Sequence, residues 1–147
     1  MLLSQQQLFS DAQAVTSTAP STNLIDLGAP GTVLGAPAAL IRDIGKGEPI
    51  PIVVRLLAAA GGTSPTLVVS VQVDNDVAFG SAKTVYTGPT VAGGTAGQEL
   101  YLPVYLPEGT DERYLRLLYT TGGTSPTHSI TAGVTMAKPS SYPVAGV

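Results

Sequence analysis

The fold class is decided by the stretch Thr66-Leu67-Val68-Val69-Ser70-Val71-Gln72-Val73-Asp74. Its residues Leu67, Val69, Val71 and Val73 fall on one face of an extended chain, and the positions between them are mainly polar. A period of two is the period of a β-strand that covers a core with one face. The stretch therefore predicts a strand with its other face toward solvent or a partner.

Similar apolar segments recur on both sides of this stretch, separated by clusters of glycine and proline. Residues 50–60, with an inward set of Ile52, Val54 and Leu56, behave in this way, as do residues 98–106 and 129–137. The 17 glycines and 12 prolines are spread along the chain, as expected for turns. We count about eight strands and no amphipathic helix, which predicts an all-β protein with a jelly-roll-like antiparallel β-sandwich.

The chain of 147 residues fits one domain with a core of its own. We expect an extended N-terminal arm at residues 1–23, the β-sandwich at residues 24–138 and a C-terminal tail at residues 139–147. Charged residues make up 12% of the chain, against the usual ~25%. The surface is therefore either covered by uncharged polar groups or partly buried by another protein.

A repeat is the most specific feature of the sequence. Arg-Leu-Leu, three residues and Gly-Gly-Thr-Ser-Pro-Thr occur at residues 55–66 and again at residues 116–127, with nine of twelve positions identical. The glycines supply positive φ where a chain reverses, and Pro65 and Pro126 favour extended geometry at the residue before them. The repeat predicts two equivalent hairpins in a sandwich with two similar halves. The alternative is chance reuse of a good turn.

The sequence offers little for nucleophilic catalysis or for metal binding. It has no cysteine, and its single histidine, His128, follows a predicted turn, where we expect it to be exposed. Ser129 beside it would point to the opposite face of a strand, which does not suit a nucleophile and its base. Zinc sites need several His or Cys ligands, and Asp-Asn-Asp at residues 74–76 is an ordinary turn sequence without the spacing of a calcium loop.

The acidic residues and tyrosines also have plain structural interpretations. Glu99, Glu108, Asp111 and Glu112 lack any sign of the burial that tunes a catalytic carboxylate, and the last three cluster in a predicted solvated loop. We therefore expect no catalytic residue, no cofactor, no metal and no enzymatic activity. Four tyrosines are candidates for a sugar- or protein-binding face, with core and cross-strand pairing as the alternative: Tyr101, Tyr105, Tyr114 and Tyr119.

Charge and hydropathy exclude two classes of partner. The formal net charge is −3 and the seven lysines and arginines are scattered, so no nucleic-acid partner is expected. The chain has no apolar run of about 18 residues, so no membrane span is expected either.

Five stretches of the chain, taken in order, resemble a known family. They are Leu-Phe-Ser-Asp-Ala-Gln-Ala-Val-Thr at residues 8–16, Ser-Thr-Asn-Leu-Ile-Asp-Leu-Gly at 21–28, Val-Gln-Val-Asp-Asn-Asp at 71–76 with Ala78-Phe79 after it, Leu-Pro-Glu-Gly at 106–109 and Glu-Arg-Tyr-Leu-Arg-Leu-Leu-Tyr at 112–119. The chain resembles the jelly-roll cement (decoration) proteins of tailed-bacteriophage capsids over nearly its whole length.

The resemblance implies a virion protein, made in the cytoplasm of the bacterial host, that attaches to the outer surface of the capsid. It implies the major capsid protein as partner and self-association as a homodimer or homotrimer, with no cofactor and no active site. We expect the arm and exposed loops to bridge capsid subunits, with Leu8, Phe9, Asp11, Gln13, Tyr101 and Tyr105 as contact residues. The alternatives are a carbohydrate-binding or adhesin module, a hydrolase, or another head or tail component.

Overall fold

The computed structural model of the protein describes residues 5–40, 50–104 and 112–135. These residues confirm the predicted all-β, sandwich-like fold, with antiparallel pairing between strands. A short 3-10 helix, Gln5–Gln7, precedes the first strand, and no helix in the described ranges is long and apolar enough to cross a membrane. The strands are β1 (Leu8–Val15), β2 (Ala19–Pro20), β3 (Ile25–Asp26), β4 (Ile50–Leu56), β5 (Gly61–Asp74), β6 (Lys83–Thr87), β7 (Val91–Ala92), β8 (Glu99–Val104) and β9 (Tyr114–Val134).

The strands form one curled sheet with two halves, which we call layer A and layer B. Layer A has the order β8-β4-β9-β1. Layer B has β6 and β7 on one side of β5, then β9, and finally β2 and β3. The first part of β9 pairs within layer B and its last part within layer A. This one strand of 21 residues therefore hydrogen-bonds to five others and joins the layers.

The core lies between the two layers and contains the inward residues that the alternation predicts. Leu67, Val69, Val71 and Val73 of β5 are at most 2% exposed. The inward residues of β4 are fully buried as well, which confirms both predicted sets. The same cluster includes Phe9, Val15, Leu102, Leu115, Leu117, Tyr119, Ile130 and Ala132. Because both layers contribute to it, burial of this cluster holds them face to face.

The two copies of the repeat pair with each other where β5 and β9 pass between the layers. We call residues 61–66 and 122–127 the crossover. The paired residues are Gly61 with Thr127, Thr63 with Thr124, and Thr66 with Gly122. The two copies of the repeat are offset by 61 residues. Replacing each residue by its counterpart in the other copy turns the Gly61–Thr127 pair into the Thr66–Gly122 pair and leaves the Thr63–Thr124 pair unchanged. A local twofold axis therefore relates the copies, and φ agrees at 98° for Gly62 and 97° for Gly123.

The prediction of two equivalent hairpins is wrong, because Gly61-Gly62 begins β5 and Gly122-Gly123 lies within β9, and the two copies pair with each other across register shifts. A Cβ on Gly123 would lie 2.4 Å from the carbonyl oxygen of Ser64, and one on Gly62 would lie 2.5 Å from that of Ser125. The two serines, which the following prolines were expected to hold extended, have positive φ of 49° and 51°. These glycines allow the two strands to approach each other closely, and they do not reverse the direction of the chain.

The N-terminal segment expected to be an arm joins the sheet from Leu8 onward. β1 pairs with the last part of β9 through two register shifts, and Ala12 has φ of 48° between them. The short strands β2 and β3 then pair with the first part of β9. The segment before residue 24 thus contributes edge strands to both layers. The predicted tail at residues 139–147 lies outside the described residues.

Candidate functional site

The residues predicted to contact a partner lie in different environments. Phe9 is fully buried in the core, so it is not a surface contact. Leu8 is half-buried and lines a shallow polar depression, and Asp11 is exposed. Tyr105 lies outside the described residues. Of the predicted arm contacts, Leu8, Asp11 and Gln13 keep some exposed surface.

Gln13 is occupied by internal hydrogen bonds. Its Oε1 accepts from the Ser10 hydroxyl at 2.7 Å and from the Thr22 N–H at 3.0 Å, and its Nε2 donates to the Pro20 carbonyl at 2.9 Å. Ser10 Oγ also lies 2.7 Å from the Tyr119 hydroxyl, and because the Ser10 proton goes to Gln13, Tyr119 donates to Ser10. The amide therefore ties β1 to the chain after β2. Gln13 therefore has a structural role in the isolated chain, and its contact with a partner stays a prediction.

Tyr101 lies on β8, the edge strand of layer A, and donates a hydrogen bond of 2.6 Å from its hydroxyl to Glu99 Oε2. Burial, and then this bond to an anion, raise the pKa of Tyr101 to about 12. The side chain lines a cleft of about 220 Å³ with Val69, Gly88 and Leu102 among its walls. This volume is below the ~300–1,000 Å³ of ordinary ligand pockets. Tyr101 therefore borders a small edge cleft that is better suited to one side chain than to a whole ligand.

The tyrosines do not form a common aromatic face within the described residues. Tyr119 is buried in the core. Tyr114 lies in layer B with the Arg113 guanidinium 5.0 Å from its ring centroid, and Tyr101 lies at the edge of layer A. These three described tyrosines thus do not form the shared platform that the carbohydrate-binding alternative needs, and only Tyr119 packs in the core.

The aspartates of the acidic turn at residues 74–76 accept hydrogen bonds from nearby backbone N–H groups. The Asp74 carboxylate accepts N–H bonds from Asp76 at 2.9 Å and Ser81 at 2.8 Å, and Asp76 accepts one from Ala78 at 2.9 Å. The bond from Asp76 is the main cause of the lowered pKa of Asp74. No group of three His, Asp or Glu side chains in the described ranges is arranged to hold a metal ion.

Glu112 differs from the predicted solvated carboxylate. It is 6% exposed and forms an ion pair with Lys83, whereas its predicted loop neighbours Glu108 and Asp111 lie outside the described residues. This ion pair links β6 to the chain just before β9, at one end of layer B. The burial of Glu112 is therefore explained by pairing with a cation.

Charged side chains are concentrated at one end of layer B. Of the ten charged residues in the described ranges, seven lie where β3, β5, β6 and β9 meet: Asp26, Asp74, Asp76, Lys83, Glu112, Arg113 and Arg116. Arg113 binds Asp26 through two hydrogen bonds of 2.7 and 2.6 Å. Arg116 donates to Gln72 at 3.0 Å and lies 4.0 Å from the ring centroid of Phe79. The rest of the described surface carries only Asp11, Arg55 and Glu99 as charged residues.

A long uncharged loop leaves this charged end after β3. Residues 27–40, which we call the apolar loop, contain no ionisable side chain, and every one of them is exposed or half-buried. Leu34 is fully exposed, and Val33 and Leu40 are more than half exposed. The loop is thus the largest run of exposed apolar residues in the described chain. Its glycines and prolines are typical of a loop, but nothing in the sequence alone marked it as a binding element.

The sequence matches the Bbp16 family over residues 9–138. The chain belongs to the Bbp16 family. This is a family of phage or viral type. The match begins at Phe9, within β1, so the Bbp16 region includes a strand that sequence analysis had assigned to an arm. A comparison with curated proteins gave no match.

One buried polar residue of this Bbp16-family chain was mispredicted. His128 is 4% exposed, and neither ring nitrogen has a hydrogen-bond partner of normal geometry in the described residues. Burial lowers the pKa of His128, and the nearby Thr66 backbone offsets only part of this effect. The error was avoidable, because His128 has the same parity on β9 as the core residues Ile130 and Ala132.

We expect His128 to make the protein acid-sensitive below its ordinary pKa of about 6.5. Above that pH the ring is neutral in both the folded and the unfolded state, so His128 does not lower the free energy of unfolding. As the pH falls below it, the unfolded chain takes up the proton first, and stability falls by at most about 1.4 kcal/mol per pH unit. Urea unfolding between pH 7 and 5.5 measures this slope. His128→Leu should remove most of the slope, and an equal slope in both proteins would contradict the assignment.

Proposed function

We propose that this Bbp16-family protein is a structural, non-enzymatic virion protein that binds the outside of an assembled phage capsid and cements neighbouring major capsid protein subunits. The mechanism is mechanical. A packaged genome pushes the shell outward, and a bound bridge adds interface free energy that must be overcome before subunits separate. A protein that binds only the expanded lattice stabilises that lattice by mass action.

The observation that carries the proposal is the distribution of charge. Seven of the ten described charged residues are gathered at one end of layer B, where two ion pairs and several hydrogen bonds occupy them. Charged residues are depleted from the cores of protein–protein interfaces, because desolvating them is costly. The remaining described surface, rich in Ser, Thr, Gly and Ala, therefore suits contact with another protein. The membership of a phage-type family supports the capsid as that protein.

The construction of the sheet suits a protein that carries load. β9 pairs with β1, β2, β3, β4 and β5 and runs through both layers. A pull along β9 is therefore resisted by ladders on both of its sides, whose hydrogen bonds lie across the strand direction. Tension between two contacts on the surface is distributed over the sheet.

The direct test is binding of the purified protein to capsids from which it is absent. We expect saturable co-sedimentation with expanded heads, weaker binding to unexpanded shells, and a higher rupture temperature of the decorated heads. Saturation at a copy number proportional to the number of capsid subunits identifies a lattice protein, whereas a few copies per particle identify a vertex or tail component. Failure to bind expanded heads at micromolar concentration would overturn the proposal.

A further inference from the structure

We propose that the apolar loop, residues 27–40, is the element that anchors the protein to its partner, by inserting Leu34 and the side chains beside it into an uncharged apolar groove of the capsid protein. This inference rests on the proposed function and assigns its binding element. It places the main contact on a loop that follows β3 and away from the N-terminal residues that sequence analysis favoured.

The exposure of the loop is the first observation. Leu34 is fully exposed, and Val33 and Leu40 are 53% and 55% exposed. Every residue of the loop is exposed or half-buried, and none belongs to the core cluster. Scattered apolar residues are normal on surfaces, but several on one projecting loop mark a protein contact.

The loop also has a defined shape. The Leu40 N–H donates to the Gly31 carbonyl at 2.8 Å, which closes the loop, and the Ala36 N–H donates to the Val33 carbonyl at 2.9 Å, which forms a turn at the tip. Gly35 occupies the left-handed position of this turn with φ of 83°. Leu34 is therefore presented at the apex by the backbone itself. A contact element already held in its bound form loses little conformational entropy on binding.

The base of the loop is fastened to β9. Asp26 accepts two hydrogen bonds from the Arg113 guanidinium, and its Oδ1 also accepts the N–H of Gly28 at 2.8 Å. The Leu27 N–H donates to the Arg113 carbonyl at 2.9 Å. A load applied at the apex therefore passes directly to the strand that joins both layers.

The chemistry of the loop identifies the kind of partner. Residues 27–40 carry no charge, and they include no aromatic residue. Loops and helices that bind lipid surfaces use Lys or Arg for the headgroups together with Trp, Phe or Leu, and this loop lacks the basic part. A groove lined by apolar side chains and free of unpaired charge on a protein surface complements it, because burial of Leu34 then leaves no polar group unsatisfied.

The test compares Leu34→Ser with Val77→Ser in binding to expanded heads that lack the protein. Val77 is an exposed apolar residue of a different loop, at 59% exposure, and serves as the matched control. We expect Leu34→Ser to bind about 10- to 100-fold more weakly, as for the lost burial of one leucine, and Val77→Ser to bind like the wild type. Both variants should unfold at the wild-type urea concentration, since neither side chain is in the core.

The other outcomes separate the two proposals. If the wild type binds heads and Leu34→Ser binds equally well, the loop assignment is overturned while the proposed function stands. If the wild type does not bind heads, both fall. Sedimentation of the free protein and flotation with neutral and anionic phospholipid vesicles complete the test. An effect of Leu34→Ser confined to self-association or to vesicle binding would also overturn the assignment to the capsid.

Discussion

Replacing Gly123 with alanine is expected to lower the unfolding free energy by about 3 kcal/mol or more, a large effect for the addition of one methyl group. The residue has φ of 97°, which costs an L side chain about 1–2 kcal/mol. The new Cβ would also lie 2.4 Å from the Ser64 carbonyl oxygen, a backbone atom that can move only if the crossover opens. Urea unfolding at neutral pH measures the loss.

The local twofold axis makes this expectation unusually specific. Gly62→Ala should cost the same as Gly123→Ala, since its Cβ would lie 2.5 Å from the Ser125 carbonyl oxygen at an almost identical φ. Gly31→Ala is the control, because a Cβ there meets nothing within 4 Å and φ is not positive. The control should be neutral or slightly stabilising. Wild-type stability in either crossover variant would contradict the close pairing of the two repeat copies.

The second large effect is expected for Phe9→Ala, at about 3–5 kcal/mol of unfolding free energy. Phe9 is fully buried among side chains from both layers, so its removal leaves a cavity as well as losing apolar burial. An arm that orders only on a partner would give no change in the isolated protein. The experiment therefore distinguishes a strand from an arm.

Asp11→Ala is the matched control for Phe9→Ala. Asp11 lies on the same strand but is exposed, so its replacement should change stability by no more than about 0.5 kcal/mol. If Phe9→Ala unfolds at the same urea concentration as Asp11→Ala, then β1 does not contribute to the stability of the fold. The N-terminal segment would then be an arm, as the sequence predicts.

The sequence predicts best where the periodicity is regular. Leu67 and its neighbours on β5 alternate without interruption, so the core face follows from the sequence alone. The burial of Ser70, Gln72 and Asp74 on the other face does not follow from that alternation. On β1, Phe9 and Val15 are buried, but register shifts and a left-handed Ala12 separate them. A bulge destroys the period on which the prediction depends. The strand was therefore missed although its core residues were visible.

Long-range pairing accounts for the other differences. Gly-Gly-Thr-Ser-Pro is compatible with a turn when considered locally, and only the approach of a second copy 61 residues away makes it a crossover. The same holds for the charged end of layer B, where Asp26 meets Arg113 across 87 residues. No sequence period reports such contacts. The apolar loop was missed for a different reason, since exposure of Leu34 is a property of the folded chain.

The position of β9 near the end of the described chain has a consequence for how the protein is made. Five strands have β9 as a hydrogen-bonding neighbour, and it is the last strand of the described residues to leave the ribosome. Until then β1, β2 and β3 have no partner within the described structure, and β4 and β5 each lack one neighbour. Pairings this distant in sequence form slowly. Folding is thus set to complete only after β9 has been synthesised, and β1, β2 and β3 stay unpaired until that moment.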